Sequence, residues 1–91
     1  KASGIFVWKN GQGLIEDNDI FGNAKAGIAI STGGNPTIRH NRLNKNSYEA
    51  IWIYDLGAGT VEDNDLRENK KGPWLISDDS KKLVKRSGNQ E

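Results

Sequence analysis

Apolar residues return along this chain with a period of 23. Counting units from Gly4, the second position of each reads Ile5, Ile28, Ile51 and Trp74, and the fourth reads Val7, Ile30, Ile53 and Ile76. The twelfth reads Ile15, Ile38, Val61 and Val84, and the seventeenth reads Ile20, Leu43 and Leu66 before Asn89 breaks the column. Four units result, covering residues 4–26, 27–49, 50–72 and an incomplete 73–91. Each opens on a stretch with period-two alternation (GIFVW, GIAIS, AIWIY, PWLIS), continues through LIEDN, TIRHN, TVEDN or LVKRS, and in the first three ends on DIF, RLN or DLR.

Strands of three to five residues cannot hold a sheet alone. They can when each pairs in parallel with its counterpart one period on, stacking coil over coil at about 4.8 Å. Self-similarity at such a period is the mark of a solenoid, in which each unit buries its apolar face against the next. The pattern therefore predicts an all-β chain: a right-handed, single-stranded parallel β-helix of about four coils, triangular, with an apolar lumen. The spaced leucines of a leucine-rich repeat are absent. The whole chain reads as one domain and as a piece of a longer solenoid.

Polar residues fall into columns as well. Asn18, Asn41 and Asn64 form one, which Ser87 ends at the same period; Asn23, Asn46 and Asn69 form another. Asn suits the left-handed backbone of a sharp corner, and stacked amides hydrogen-bond from coil to coil as a ladder. Gly11, Gly34 and Gly57 mark a third corner. Charge alternates in sign down three further columns: Glu16, Arg39, Glu62, Lys85; Asp17, His40, Asp63, Arg86; and Asp19, Arg42, Asp65. Alternation predicts ladders of opposite charge that resist a slip in register, since a one-residue slip also turns core to solvent.

Composition adds bounds. The chain has 91 residues with 34% hydrophobic and 27% charged, so it is one small domain. It contains no Cys, which excludes disulfides and thiolate metal sites but leaves the compartment open. No apolar run of 18 residues provides a membrane span, and no leader opens the chain. The net charge of +1 divides into −2 over residues 1–66 and +3 over 67–91. The basic end reads as a solvated surface rather than a nucleic-acid patch.

The corner motifs G-x-G-x-[IV]-E-D-N at 11–18 and 57–64, and G-N-P-T-I-R-H-N at 34–41, resemble the parallel β-helix repeats of carbohydrate-binding and sugar-hydrolase-like domains. In particular they are similar to the β-helix of the eleventh F-box-only ubiquitin-ligase adaptor and its bacterial relatives. The resemblance covers residues 4–76 and implies the fold. In the adaptor the β-helix is thought to present degradation substrates, but nothing in this chain resembles an F-box.

Enzymes on this fold use clustered outer-face carboxylates, and the candidates here are Asp17, Asp19, Asp63 and Asp65. His40 and Arg42 sit between them in the columns and would neutralise them, so no catalytic residue, metal or cofactor is expected. The Gly-rich corners at 11–13 and 57–59 are turns, because no helix follows to bind phosphate. The outward positions of the first sheet are more informative. If Ile5, Val7, Ile51 and Ile53 face inward, Phe6, Trp8, Trp52 and Tyr54 face out, with only Ala29 and Ser31 between the two pairs. Two aromatic rows flanking a slot would suit a protein or peptide partner, with carbohydrate as the alternative ligand. Lys1-Ala2-Ser3 leads directly into the first coil, whose lumen edge (Ile5, Val7, Ile15, Ile20) would be left open. A homodimer through that edge is the expected consequence.

Overall fold

The computed structural model describes residues 4–91, so the expectation placed on Lys1-Ala2-Ser3 lies outside the described residues. The strands are β1 (Ile5–Val7), β2 (Leu14–Glu16), β3 (Asp19–Phe21), β4 (Ile28–Ile30), β5 (Thr37–Arg39), β6 (Arg42–Asn44), β7 (Ile51–Ile53), β8 (Gly59–Glu62), β9 (Trp74–Ile76) and β10 (Val84–Ser87). Every strand pairing is parallel and joins one coil to the next. The first sheet runs β1-β4-β7-β9 and the second β2-β5-β8-β10. The third sheet is the strand pair β3-β6, continued by single bridges from Arg42 to Asp65 and from Asp65 to Gln90. The molecule is thus an all-β solenoid of about four turns, and no α-helix occurs among the described residues.

The register follows the 23-residue period through three coils. Ile5 pairs with Ile28 and Ile28 with Ile51; Ile15 pairs with Ile38 and Ile38 with Val61; Ile20 pairs with Leu43. Their side chains meet in the lumen. Ile28, Ile30, Ile38, Leu43, Ile51, Ile53, Val61 and Leu66 are fully buried. In the first coil Ile5, Val7 and Ile15 are half-buried against this core, whereas Ile20 is already buried, contrary to its expected place on an open edge.

The fourth coil departs from the period. Trp74 and Ile76 register with Ile51 and Ile53 as expected. A 3-10 turn over Lys81–Leu83 then inserts two residues, so that Val84 pairs with Gly59, Arg86 with Val61 and Ser87 with Glu62. Val84 does not continue the column of Ile15, and Lys85 and Arg86 do not continue the charge columns. The break of the seventeenth column at Asn89 is the trace it leaves in the sequence, while Val84 keeps the twelfth column apolar by letter and so hides the shift. Ser80 still keeps the corner geometry: its N–H donates to the Ser77 carbonyl, as Gly11 does to Trp8, Gly34 to Ser31 and Gly57 to Tyr54.

Both asparagine columns form ladders. Asn18 N–H and Nδ2 donate to Asn41 Oδ1 (3.0 and 3.1 Å), and Asn41 N–H and Nδ2 donate to Asn64 Oδ1 (2.9 and 3.0 Å). The last rung is Asn89, not Ser87: its Oδ1 accepts from Asn64 N–H and Nδ2, both at 3.0 Å. Asn23, Asn46 and Asn69 repeat the arrangement, with amide-to-amide distances of 2.8 Å. The left-handed residue at each corner precedes the Asn instead of being it. It is Asp17, His40, Asp63 or Gly88 in one column, and Gly22, Lys45 or Glu68 in the other. Asp and His are among the side chains that tolerate this region, and the Asn is left free to turn inward.

The corner after the first sheet uses two successive left-handed residues: Lys9-Asn10, Thr32-Gly33 and Asp55-Leu56. Leu56 is the misfit, since it is exposed, gains no burial and holds φ of 62°. Replacing it with Asn, the residue of the first coil at that place, should stabilise the fold by about 0.5–1 kcal/mol by relieving a left-handed aliphatic residue. Thermal unfolding should show a rise of a few degrees for Leu56→Asn and none for Lys25→Ala, an exposed control.

Candidate functional site

The outer face of the first sheet carries two rows. Parallel register stacks Phe6, Ala29, Trp52 and Leu75 in one, because the inward neighbours of each are locked in the lumen. Trp8, Ser31, Tyr54 and Ser77 follow two residues later in each coil, held by coil-to-coil bonds from Ser31 N–H to Val7 O, Tyr54 N–H to Ile30 O and Ser77 N–H to Ile53 O. All four predicted aromatic residues therefore share one face. Phe6 and Trp8 lie with ring centroids 6.0 Å apart and planes inclined by 4°, and Trp52 and Tyr54 with centroids 4.3 Å apart and planes inclined by 22°.

The expected slot between the pairs is closed. Ala29 and Ser31 point outward yet are only 3% and 2% exposed, so the neighbouring rings lie over them. Phe6 and Trp8 remain 52% and 49% exposed, and Leu75 extends the surface by one coil. Leu75 stands in the same column as Phe6 and Trp52, which is the signal that could have found it, but an aliphatic residue there lacks the aromatic mark of the others. Lys9 Nζ lies 4.7 Å from the Trp8 ring centroid at the border. Each ring thus stacks on its neighbour within its own coil, and Lys9 borders Trp8.

A second feature lies along the corner between the second and third sheets. An open groove of about 810 Å³ is lined by two charged rows, Asp17, His40, Asp63 and Asp19, Arg42, Asp65, over a floor of the ladder residues Asn18, Asn41 and Asn64. Among the described residues the predicted ladders of opposite charge are realised at one rung, Arg39 Nε to Glu16 Oε2 at 3.1 Å. Asp65 is held within its own coil by Arg67, with Nε to Oδ1 and Nη2 to Oδ2 both at 2.9 Å, and does not bridge to Arg42. Geometry explains this: a flexible, solvated pair gains little from a fixed contact, while the fork of Arg67 engages both carboxylate oxygens two residues away. That hydrogen bond holds the Asp65 carboxyl below its ordinary range and raises the Arg67 guanidinium. Among the described residues no three His, Cys, Asp or Glu side chains are placed to hold a metal ion. No helix among them is long and apolar enough to cross a membrane.

Among known families, the model of the right-handed beta helix region matches residues 1–87. No solved structure matches the chain.

The sign of the Asp65 shift gives a prediction. A depressed folded pKa stabilises the fold above the ordinary aspartate value, and that contribution is lost as pH falls through the lower folded value. The Asp65→Asn variant should therefore lose less stability than the parent on acidification from about pH 6 to about pH 3. The difference should be small and shrink in high salt, because the pair is exposed. Parallel melting curves across the pH series would contradict it.

Proposed function

The chain belongs to the right-handed β-helix region family, and on that premise we propose that it is a non-catalytic binding module whose aromatic sheet face docks a protein or peptide. The carrying observation is that Phe6, Trp8, Trp52, Tyr54 and Leu75 share one outer face of a parallel sheet. Exposed aromatic residues on a fixed backbone lose little entropy on binding and are the residue types enriched where interfaces draw most of their energy.

The ring geometry favours a protein over a sugar. A sugar ring needs a free aromatic face, and here one face of each ring is engaged by its neighbour within the coil, with Lys9 also over Trp8. Edges and aliphatic carbons suit the mixed side chains of a peptide. In the groove Asp65 is bound by Arg67 and held below its ordinary range, which suits it poorly to act as a general acid near neutrality. Carbohydrate binding or cleavage, with the groove carboxylates Asp17, Asp19, Asp63 and Asp65 in play, is the second reading. It draws on the family resemblance alone.

Peptides selected from a random display library on the immobilised chain provide the test. Their affinity should fall at least tenfold, about 1.4 kcal/mol, in a Trp52→Ser/Tyr54→Ser variant that keeps the parent's circular dichroism. It should stay unchanged in Asp63→Asn. Failure of the library to enrich any peptide, together with release of reducing or unsaturated ends from a polysaccharide that stops in Asp63→Asn, would reverse the assignment.

A further inference from the structure

We infer that Phe21, Arg42, Asn44 and Lys45 form a binding site on the outer face of the third sheet for a small monocarboxylate whose carboxyl group is joined to an apolar or aromatic group. The site lies on a different sheet from the aromatic face and does not depend on it.

Asn44 is the residue that points to a ligand. Among the described residues the buried asparagines are Asn41, Asn44, Asn46 and Asn64. Asn41, Asn46 and Asn64 spend their amides on the ladders. Asn44 is only 6% exposed, yet its side chain makes no hydrogen bond among the described residues. Strand alternation explains the difference. Leu43 fills the lumen, so Asn44 points outward together with Arg42. Among the described residues no sealed side-chain polar atom lacks a partner, so the Asn44 amide is open to the hollow that it lines. That hollow, of about 190 Å³, is bounded by Asp19, Phe21, Arg42, Asn44 and Lys45. A largely buried amide with donor and acceptor both unused is uncommon, and it offers a fixed pair of polar atoms to an incoming group.

Arg42 supplies the charge. Its register neighbours are Asp19 and Asp65, yet it forms no ion pair among the described residues, and Asp65 is engaged by Arg67. A guanidinium fork matches both oxygens of one carboxylate, and Asn44 Nδ2 adds a donor from the next outward position of the same strand. Lys45 follows at the left-handed corner. Its N–H donates to the Glu68 carbonyl and its own carbonyl accepts from Gly22 N–H, so the stem of its ammonium starts from a fixed point. Arg42 and Lys45 against Asp19 leave one formal positive charge, which complements a carboxylate. A phosphate dianion would keep an uncompensated charge beside Asp19. Phe21, in register with Asn44 and 62% exposed, is the apolar wall. Gly22 has open space where a Cβ would stand, so that residue does not screen the ring. An apolar group on the ligand gains affinity by burial against Phe21 that a bare carboxylate lacks.

Phenylacetate is the probe, followed through the amide NMR shifts of the full chain, with acetate, benzyl alcohol and inorganic phosphate as comparisons. Phenylacetate should shift the amides of β3, β6 and Lys45 saturably. Acetate lacks the ring, benzyl alcohol lacks the carboxylate and phosphate has the wrong charge, so each should bind about tenfold more weakly or worse. Arg42→Gln should weaken phenylacetate by about tenfold, and Asn44→Ala by about fivefold. Arg42 is exposed, so its variant keeps the fold and decides the case even where Asn44→Ala disturbs the sheet. Trp52→Ser/Tyr54→Ser should bind phenylacetate as the parent does, which separates this site from the aromatic face. Absence of shifts on the third sheet would overturn the inference, as would phosphate binding as tightly as phenylacetate. Parent-like affinity in Arg42→Gln, or loss of binding in Trp52→Ser/Tyr54→Ser, would overturn it equally.

Discussion

Everything in this molecule hangs on the amide ladder at its corners. A parallel coil must turn sharply three times within 23 residues, and each turn leaves backbone N–H and C=O groups with no strand partner. Buried groups of that kind are costly unless satisfied. Asn41 and Asn64, which are almost fully buried, satisfy several at once. Asn41 Oδ1 accepts two bonds from the coil before, and Asn41 Nδ2 donates to Ile15 O, Arg39 O and Asn64 Oδ1. One short side chain thereby ties three successive coils together. Among the described residues no buried side-chain polar atom lacks a partner.

The outer surfaces follow from that frame. With corners pinned, strand register cannot slip, and alternation sends Phe6, Trp8, Trp52 and Tyr54 outward as surely as it sends Ile5, Val7, Ile51 and Ile53 inward. Ala29 and Ser31, small and almost unexposed, stand between the two aromatic pairs on that face. The same frame exposes charged rows along the groove without having to neutralise them: the corners are held by amides, so Asp17, Asp19, His40, Arg42 and Asp63 are not required as struts. That separation between what holds the coils and what faces outward is what makes a binding module possible on this scaffold.

Much of this was legible in the sequence because stacking in register turns a three-dimensional contact into a column of letters. The lumen columns, the parallel pairing and the position of the four rings could be read that way. The fourth coil could not. The turn over Lys81–Leu83 is exposed and leaves only the break at Asn89 as its trace, because Val84 satisfies the period by composition while standing elsewhere in space. General preference assigns the left-handed corner to Asn, yet the Asn is needed for its inward amide, and Asp, His or Gly before it takes the strained conformation. The charge columns misled for a different reason. Opposite letters one period apart are close enough to pair, but solvated side chains choose the partner with the better geometry, as Asp65 chooses Arg67. Closure of the slot depended on ring orientation, which sequence spacing does not contain.

The most direct test of the ladder compares two truncations by chemical unfolding: Asn41→Ala in the middle of the column and Asn18→Ala at its first rung. Asn18 donates to Asn41 Oδ1 and Glu16 O, and its Oδ1 accepts from no described residue, whereas Asn41 both accepts and donates across coils. If the amide ladder carries the fold, Asn41→Ala should cost about 3 kcal/mol and Asn18→Ala under about 1, with unchanged denaturant dependence in both. Equal and small losses for the two variants would show that the lumen alone holds the coils in register and that the ladder is a consequence of the fold.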